Sequence, residues 1–223
     1  MKFIVTDIKR AFSEPSFFVS IVIGVALVFI GLIFSHESDR LFLSAQSFAL
    51  PFAAPLLSAL PYSVMLMREK ETGFKLMMSS KLGNKSYLFK RFIVCGLSGA
   101  AVLFIPQLIL FIVCIFLNSN DDIMYNALVL ALSLPFGFSY AVFSYGLSFV
   151  NKFKYIPLVM PEVLYLMCIY AFPYLGLTEI YPPLDISPTI YGGEISVMRL
   201  VIPFILTVAG ALLTFLGKAG QRR

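Results

Sequence analysis

The chain has 223 residues, 59% hydrophobic and only 13% charged, with a formal net charge of +5 at pH 7. A soluble domain is usually about 45–50% apolar and about 25% charged, and a small globule buries only part of its surface. The composition therefore excludes a water-soluble fold and makes lipid part of the solvent. A single histidine leaves too few ligands and bases for a zinc site or a Ser-His-Asp triad.

A membrane helix needs about 20 apolar residues to cross about 30 Å of hydrocarbon. Ahead of the first such run, residues 3–13 are amphipathic. Thr6, Lys9, Arg10 and Ser13 share one helical face, and Ile4, Val5, Ile8, Ala11 and Phe12 take the other. This predicts a helix lying flat on the inner leaflet, ended by Glu14-Pro15. Six runs follow, at 17–34, 41–67, 92–117, 126–150, 155–172 and 197–217. The first ends in Ser35-His36-Glu37 without a small-residue cleavage site, so it is expected to remain as a span. The second is over-long and holds Pro51, Pro55 and Pro61, which predicts a tilted or kinked helix. The fifth carries Pro157, Pro161 and Glu162. Cys95, Cys114 and Cys168 all lie in apolar runs without metal spacing and read as small buried residues.

Charge sets the orientation. Fifteen of the 17 basic residues fall before the first run, between the second and third, after the fourth, and after the sixth. The intervening segments keep only Arg40 and Arg199 and hold Glu37, Asp39, Asp121, Asp122, Glu179, Asp185 and Glu194. The positive-inside rule then places both termini in the cytoplasm. The expected architecture is one all-α polytopic membrane domain over residues 1–223, with six transmembrane helices.

Two connections are unusual. The stretch 68–91, expected in the cytoplasm, is strongly charged yet contains Phe74, Leu76, Met77 and Met78, set off by Gly73 and the turn pair Gly83-Asn84. Apolar side chains there must dip into lipid or dock on a partner, and methionine suits an adaptable contact. Residues 173–196 are rich in Pro, Gly and Tyr, too interrupted to span, and predict an external segment dipping back towards the membrane. Glu162 is the one acid well inside a run, a functional candidate by default. Following Pro161 near a helix start, it also suits the positive end of the helix dipole. No phosphate-binding G-x-x-x-x-G-K-[ST] loop exists, so the chain is not expected to be an enzyme.

Residues 68–80, Arg-Glu-Lys-Glu-Thr-Gly-Phe-Lys-Leu-Met-Met-Ser-Ser, resemble the loop after the second span in type-2 permeases of ATP-binding-cassette (ABC) exporters. Arg68, Glu69, Glu71 and Gly73 match, Met78 stands where Leu is commoner, and Lys90 or Arg91 fits the basic residue opening the third span. Residues 7–12 resemble that family's interfacial helix. Residues 186–193 are similar to its Asn-Pro segment before the last span, with Ser187 in place of the Asn.

The resemblance implies a permease subunit in the bacterial cell membrane, paired with a second copy or a homologous permease. It would dock on a separate ATPase subunit that binds ATP and magnesium, so that no cofactor is expected in this chain. The docking element would be a coupling helix over about 73–80, with Phe74, Leu76, Met77 and Met78 filling a groove on the ATPase and Glu69 and Glu71 at its joint with the second span. The second and fifth spans would line the path. Phe48, Phe52, Glu162, Tyr165 and Tyr170 are the candidate lining residues, suited to a peptide, antibiotic or lipid-like cargo. Two other readings stay open: a carrier or channel working without ATP through Glu162, and a membrane-embedded immunity or accessory protein.

Overall fold

The computed structural model of the protein describes residues 2–35, 40–72, 84–117, 122–150, 153, 155–177, 181–185 and 197–220. These form helices, with no strand among the described residues. The α-helices are α1 (Lys2–Ser13), α2 (Pro15–Phe34), α3 (Leu41–Phe48), α4 (Leu50–Glu71), α5 (Asn84–Phe116), α6 (Ile123–Val150), α7 (Ile156–Tyr174) and α8 (Val201–Gly220). Five stretches are long and apolar enough to cross a bilayer: Pro15–Phe34, Leu50–Glu69, Tyr87–Phe116, Ile123–Val150 and Ile156–Tyr174. The protein thus has the helices of a multi-pass membrane protein. α8 has a shorter apolar stretch, Val201–Leu216, entered through the 3-10 turn Val197–Leu200.

Local chemistry sets the helix ends. α2 begins with Pro15 at its first position, where the missing N–H costs nothing. The run expected as one kinked helix over 41–67 is two helices, α3 and α4, broken at Ala49 (φ −133°, ψ −26°). Pro51 is the cause: its ring excludes the carbonyl of Ser47 one turn earlier and it donates no N–H. At the start of α6, the Asp122 carboxylate accepts the amides of Met124 and Tyr125 at 3.0 and 3.4 Å, an N-terminal cap. α7 ends at Tyr174 and is closed two residues on by Gly176, whose φ of +70° suits glycine. There the Leu177 amide reaches back to the Phe172 carbonyl at 3.0 Å and closes the last turn.

α6 is the hub. It packs on α8, α5, α4 and α7, and with α4 it holds most of the interior, whereas α2 and α7 are peripheral. Close approach depends on glycine. A Cβ on Gly137 of α6 would stand 2.6 Å from the Gly99 carbonyl oxygen of α5, and one on Gly210 of α8 would stand 2.7 Å from the Val142 carbonyl oxygen of α6. Small residues that let backbones touch are how helices associate in lipid, where apolar burial drives little. Cys95 and Cys114 are buried, as read from their apolar context, whereas Cys168, on the peripheral α7, is partly exposed.

α1 forms as expected, and its burial adds an acid. Asp7 and Ala11 are buried, whereas Val5 is exposed. Within residues 173–196, α7 runs on to Tyr174, and a 3-10 turn, Pro182–Asp185, packs against α6 and α7 with Tyr181, Pro182 and Pro183 buried. Residues 186–193 lie outside the described residues.

Candidate functional site

The largest fully buried side chain is Arg91 of α5, 1% exposed. A lone guanidinium there would be prohibitively costly, so its partners decide whether the helix can sit where it does. Its Nη1 bonds the Glu69 carboxylate and donates to the Tyr87 hydroxyl at 2.8 Å. Its Nη2 donates to Glu69 Oε1 at 2.5 Å and to Asp7 Oδ1 at 3.3 Å. This is a two-pronged grip on one carboxylate, the geometry a planar guanidinium makes best. Asp7 Oδ2 accepts the Tyr62 hydroxyl at 3.2 Å. Arg10 reaches Glu69 Oε1 at 3.1 Å from the solvent side. The guanidinium carbon of Arg91 lies 5.0 Å from the Tyr87 ring centre and 5.6 Å from that of Tyr62, adding ring-face attraction for the cation.

Two carboxylates thus balance two guanidiniums. Asp7 and Arg10 come from α1, Glu69 from the last turns of α4, and Arg91 from the first third of α5. An apolar cluster that includes Ala11, Met65, Leu66, Leu88, Val94 and Phe149 surrounds them and keeps water away, which strengthens each pair and makes any vacancy expensive. The residues it joins lie on either side of residues 73–83 in the sequence, which are outside the described residues. One residue before Glu69, Arg68 pairs with Glu14 at the surface.

A second polar system ties α4, α6 and α7. Pro161 has no N–H to give the Pro157 carbonyl one turn earlier. The Ser144 hydroxyl of α6 supplies that bond at 2.6 Å, and Ser63 of α4 donates to Ser144 at 2.7 Å. Pro55 opens the ladder of α4 in the same way, and the Leu56 amide donates to Glu162 Oε2 at 3.1 Å. Glu162, expected in the first turn of its helix, stands beyond it, because α7 starts at Ile156. Its carboxylate serves a neighbouring helix rather than its own N-terminus. Among the described residues, no group of three His, Cys, Asp or Glu side chains could hold a metal ion.

Of the residues read from the sequence, Glu69 lies at the centre of the ion cluster. Glu71 ends α4, and Gly73, Phe74, Leu76, Met77 and Met78 lie outside the described residues. Phe48, Phe52 and Tyr170 face outwards, Tyr170 at 70% exposure, and Glu162 is half-buried. Tyr165 is fully buried against Phe136 and Tyr140, with ring centres 5.9 Å away in each case, and does not reach that outer face. Sequence reasoning missed Asp7, Arg10, Tyr62 and Tyr87 as members of one site. The available signals were a single acid inside a basic amphipathic helix and an arginine on the border of an apolar run, four residues after a tyrosine. No protein-family model matches the chain, and no curated protein matches it.

Proposed function

We propose that the chain is the membrane-spanning permease subunit of an ABC exporter, crossing the cell membrane six times with α8 as the last span and both ends in the cytoplasm. The ion cluster of Asp7, Arg10, Glu69 and Arg91 carries this reading. It welds α1 to the two helices that flank the loop 73–83, as a lever needs. A separate ATPase subunit gripping that loop moves three helices as one body, provided its contact differs between nucleotide states. Such a loop matches the residue pattern Arg68, Glu69, Glu71 and Gly73 and offers Phe74, Leu76, Met77 and Met78 as its apolar grip.

The outward face of α7 and the neighbouring start of α4 support pairing with a second permease. Phe52, Val159, Met160, Val163, Met167 and Tyr170 are exposed there, while α4 and α7 pack on each other. A path between two such faces is apolar and aromatic, suited to a peptide, antibiotic or lipid-like cargo. Co-purification with the ATPase subunit tests the reading. Phe74→Asp with Met77→Asp is expected to release the ATPase while leaving the permease folded, and a complex that survives both substitutions refutes the docking role.

A second reading is an ATP-independent carrier built on Glu162, favoured by one observation, the carboxylate held between α4 and α7 on the Leu56 amide. Transport that continues without any ATPase and stops in Glu162→Gln would favour it over the exporter.

A further inference from the structure

α5 and α8 both pack along α6, far more than against each other. At the end of the bundle where α5 begins and α8 finishes, this leaves a small open groove, lined by Leu88, Phe89 and Phe92 of α5 and by Ala211, Thr214 and Phe215 of α8. The lining is wholly apolar. Thr214 turns its hydroxyl onto the Gly210 carbonyl at 2.7 Å and shows the groove its methyl group. Phe89 and Phe215 are more than half exposed, so the groove opens sideways, at the membrane boundary where the apolar stretch of α5 starts.

The two wall helices carry charge of one sign only. Neither α5 nor α8 contains an acidic residue anywhere along its length. Lys85 stands three and four positions before Leu88 and Phe89, and Lys218 three and four positions after Phe215 and Thr214. Helical spacing therefore puts a lysine position one turn beyond each wall, on the groove's own face and on its water side. An open apolar slot with a lysine position one helical turn beyond each of its walls matches one molecule in both halves. We infer that the groove seats an acyl chain of an anionic phospholipid, with its headgroup at the level of Lys85 and Lys218. Basic sites between membrane helices recognise anionic headgroups by the same attraction. The inference rests on the membrane-spanning reading and is independent of transport.

The test is native mass spectrometry of the detergent-purified chain with phosphatidylglycerol or phosphatidylcholine added. The unmodified protein is expected to retain one phosphatidylglycerol with a preference of about thirtyfold, the worth of two lysines at the surface. Lys85→Gln with Lys218→Gln abolishes the preference but leaves weak retention of either lipid. Ala211→Trp fills the slot and abolishes retention of both. Retention unchanged in Ala211→Trp overturns the inference.

Because Ala211→Trp could fail to fold, the unmodified protein in vesicles containing phosphatidylglycerol with a diazirine on its acyl chain gives a second readout. Crosslinks at 85–92 and 211–218 support the site, and crosslinks confined elsewhere overturn it. A second copy of the chain in the groove would leave these segments unlabelled and would lose its dimer mass in Ala211→Trp, which also overturns it. Extraction of the protein from membranes by alkaline carbonate would instead refute the membrane-spanning reading itself.

Discussion

At its foot the bundle is joined by charge, and in its middle by the absence of side chains. Arg91 binds Glu69 and Asp7 across three helices, whereas α5, α6 and α8 meet where Gly99, Gly137, Gly146 and Gly210 leave backbone against backbone. The foot borders water, where a charged residue can reach its partners during folding and an arginine can be held by a carboxylate. In the hydrocarbon the same pair would cost too much, and what remains is packing and a few hydroxyls such as those of Ser63 and Ser144. Glue of the first kind is directional and all-or-none. Glue of the second kind is graded, so the two regions should respond differently to substitution.

Arg91→Met should have the largest effect. It leaves Asp7 and Glu69 buried with only Arg10 nearby, and breaking a buried pair from one side costs about 3–5 kcal/mol. Thermal unfolding in detergent reads this directly. Neutralising the whole set, as Asp7→Asn, Glu69→Gln and Arg91→Met together, should recover most of the loss, because desolvation of the unpaired charges disappears with the charges. Recovery of stability without recovery of coupling to an ATPase would separate the lever proposed above from the cluster's structural role. Gly137→Ala comes next. Its methyl carbon would stand 2.6 Å from the Gly99 carbonyl oxygen and 3.0 Å from the Ala100 Cα, forcing α5 and α6 apart at about 1–3 kcal/mol. A neutral Gly137→Ala would mean that the two helices have slack, and the contrast with the foot would collapse.

What could be read from the sequence was what the bilayer dictates. Its thickness fixes run length, so α2, α5, α6 and α7 appear close to where the apolar runs predicted them. Glu14-Pro15 marked the bend between α1 and α2 because proline tolerates only a helix's first turn. The break at Ala49 was hidden among three prolines in one run, and packing decides which of them opens the helix. The burial of Asp7 on α1 was not legible for a related reason: the guanidinium that holds it lies 84 residues away, and sequence distance carries no trace of it. Glu69 and Arg91 were singled out by family resemblance. The partnership between them, and with Asp7, needed coordinates. The start of α5 at Asn84, eight residues before the apolar run, follows from the same cause, since Tyr87, Leu88 and Arg91 gain burial against α1 and α4.

Where α4, α6 and the start of α7 meet, Ser144→Ala tests the smaller increments. It leaves the Pro157 carbonyl, already deprived of a donor by Pro161, with no hydroxyl to accept from, and removes the acceptor of Ser63. A single interhelical hydroxyl bond is worth about 0.6–1 kcal/mol in a membrane protein. The loss should appear as a modest drop in unfolding temperature and faster amide exchange at the start of α7. A drop as large as that of Arg91→Met would show that the hydroxyl relay locks α4 to α7 as firmly as the ions lock α1 to α5.

The smallest effect belongs to an exposed ion pair that starts one residue from the buried one. Glu69 faces Arg91 out of water, whereas Arg68, one residue earlier on α4, is 60% exposed where it meets Glu14 at the α1–α2 bend. Exposed ion pairs contribute about 0.2–1 kcal/mol, and added salt screens them within a Debye length of about 10 Å or less. Glu14→Gln should therefore cost under about 1 kcal/mol at low ionic strength and almost nothing at high salt. Glu69→Gln should keep its full cost at both, because no counter-ion reaches a site with 4% of its side chain exposed. Unfolding curves of the two variants at low and high salt decide the point. If both lose their effect on adding salt, water and ions enter the foot of the bundle, and the cluster is a surface network rather than the rigid joint on which the lever depends.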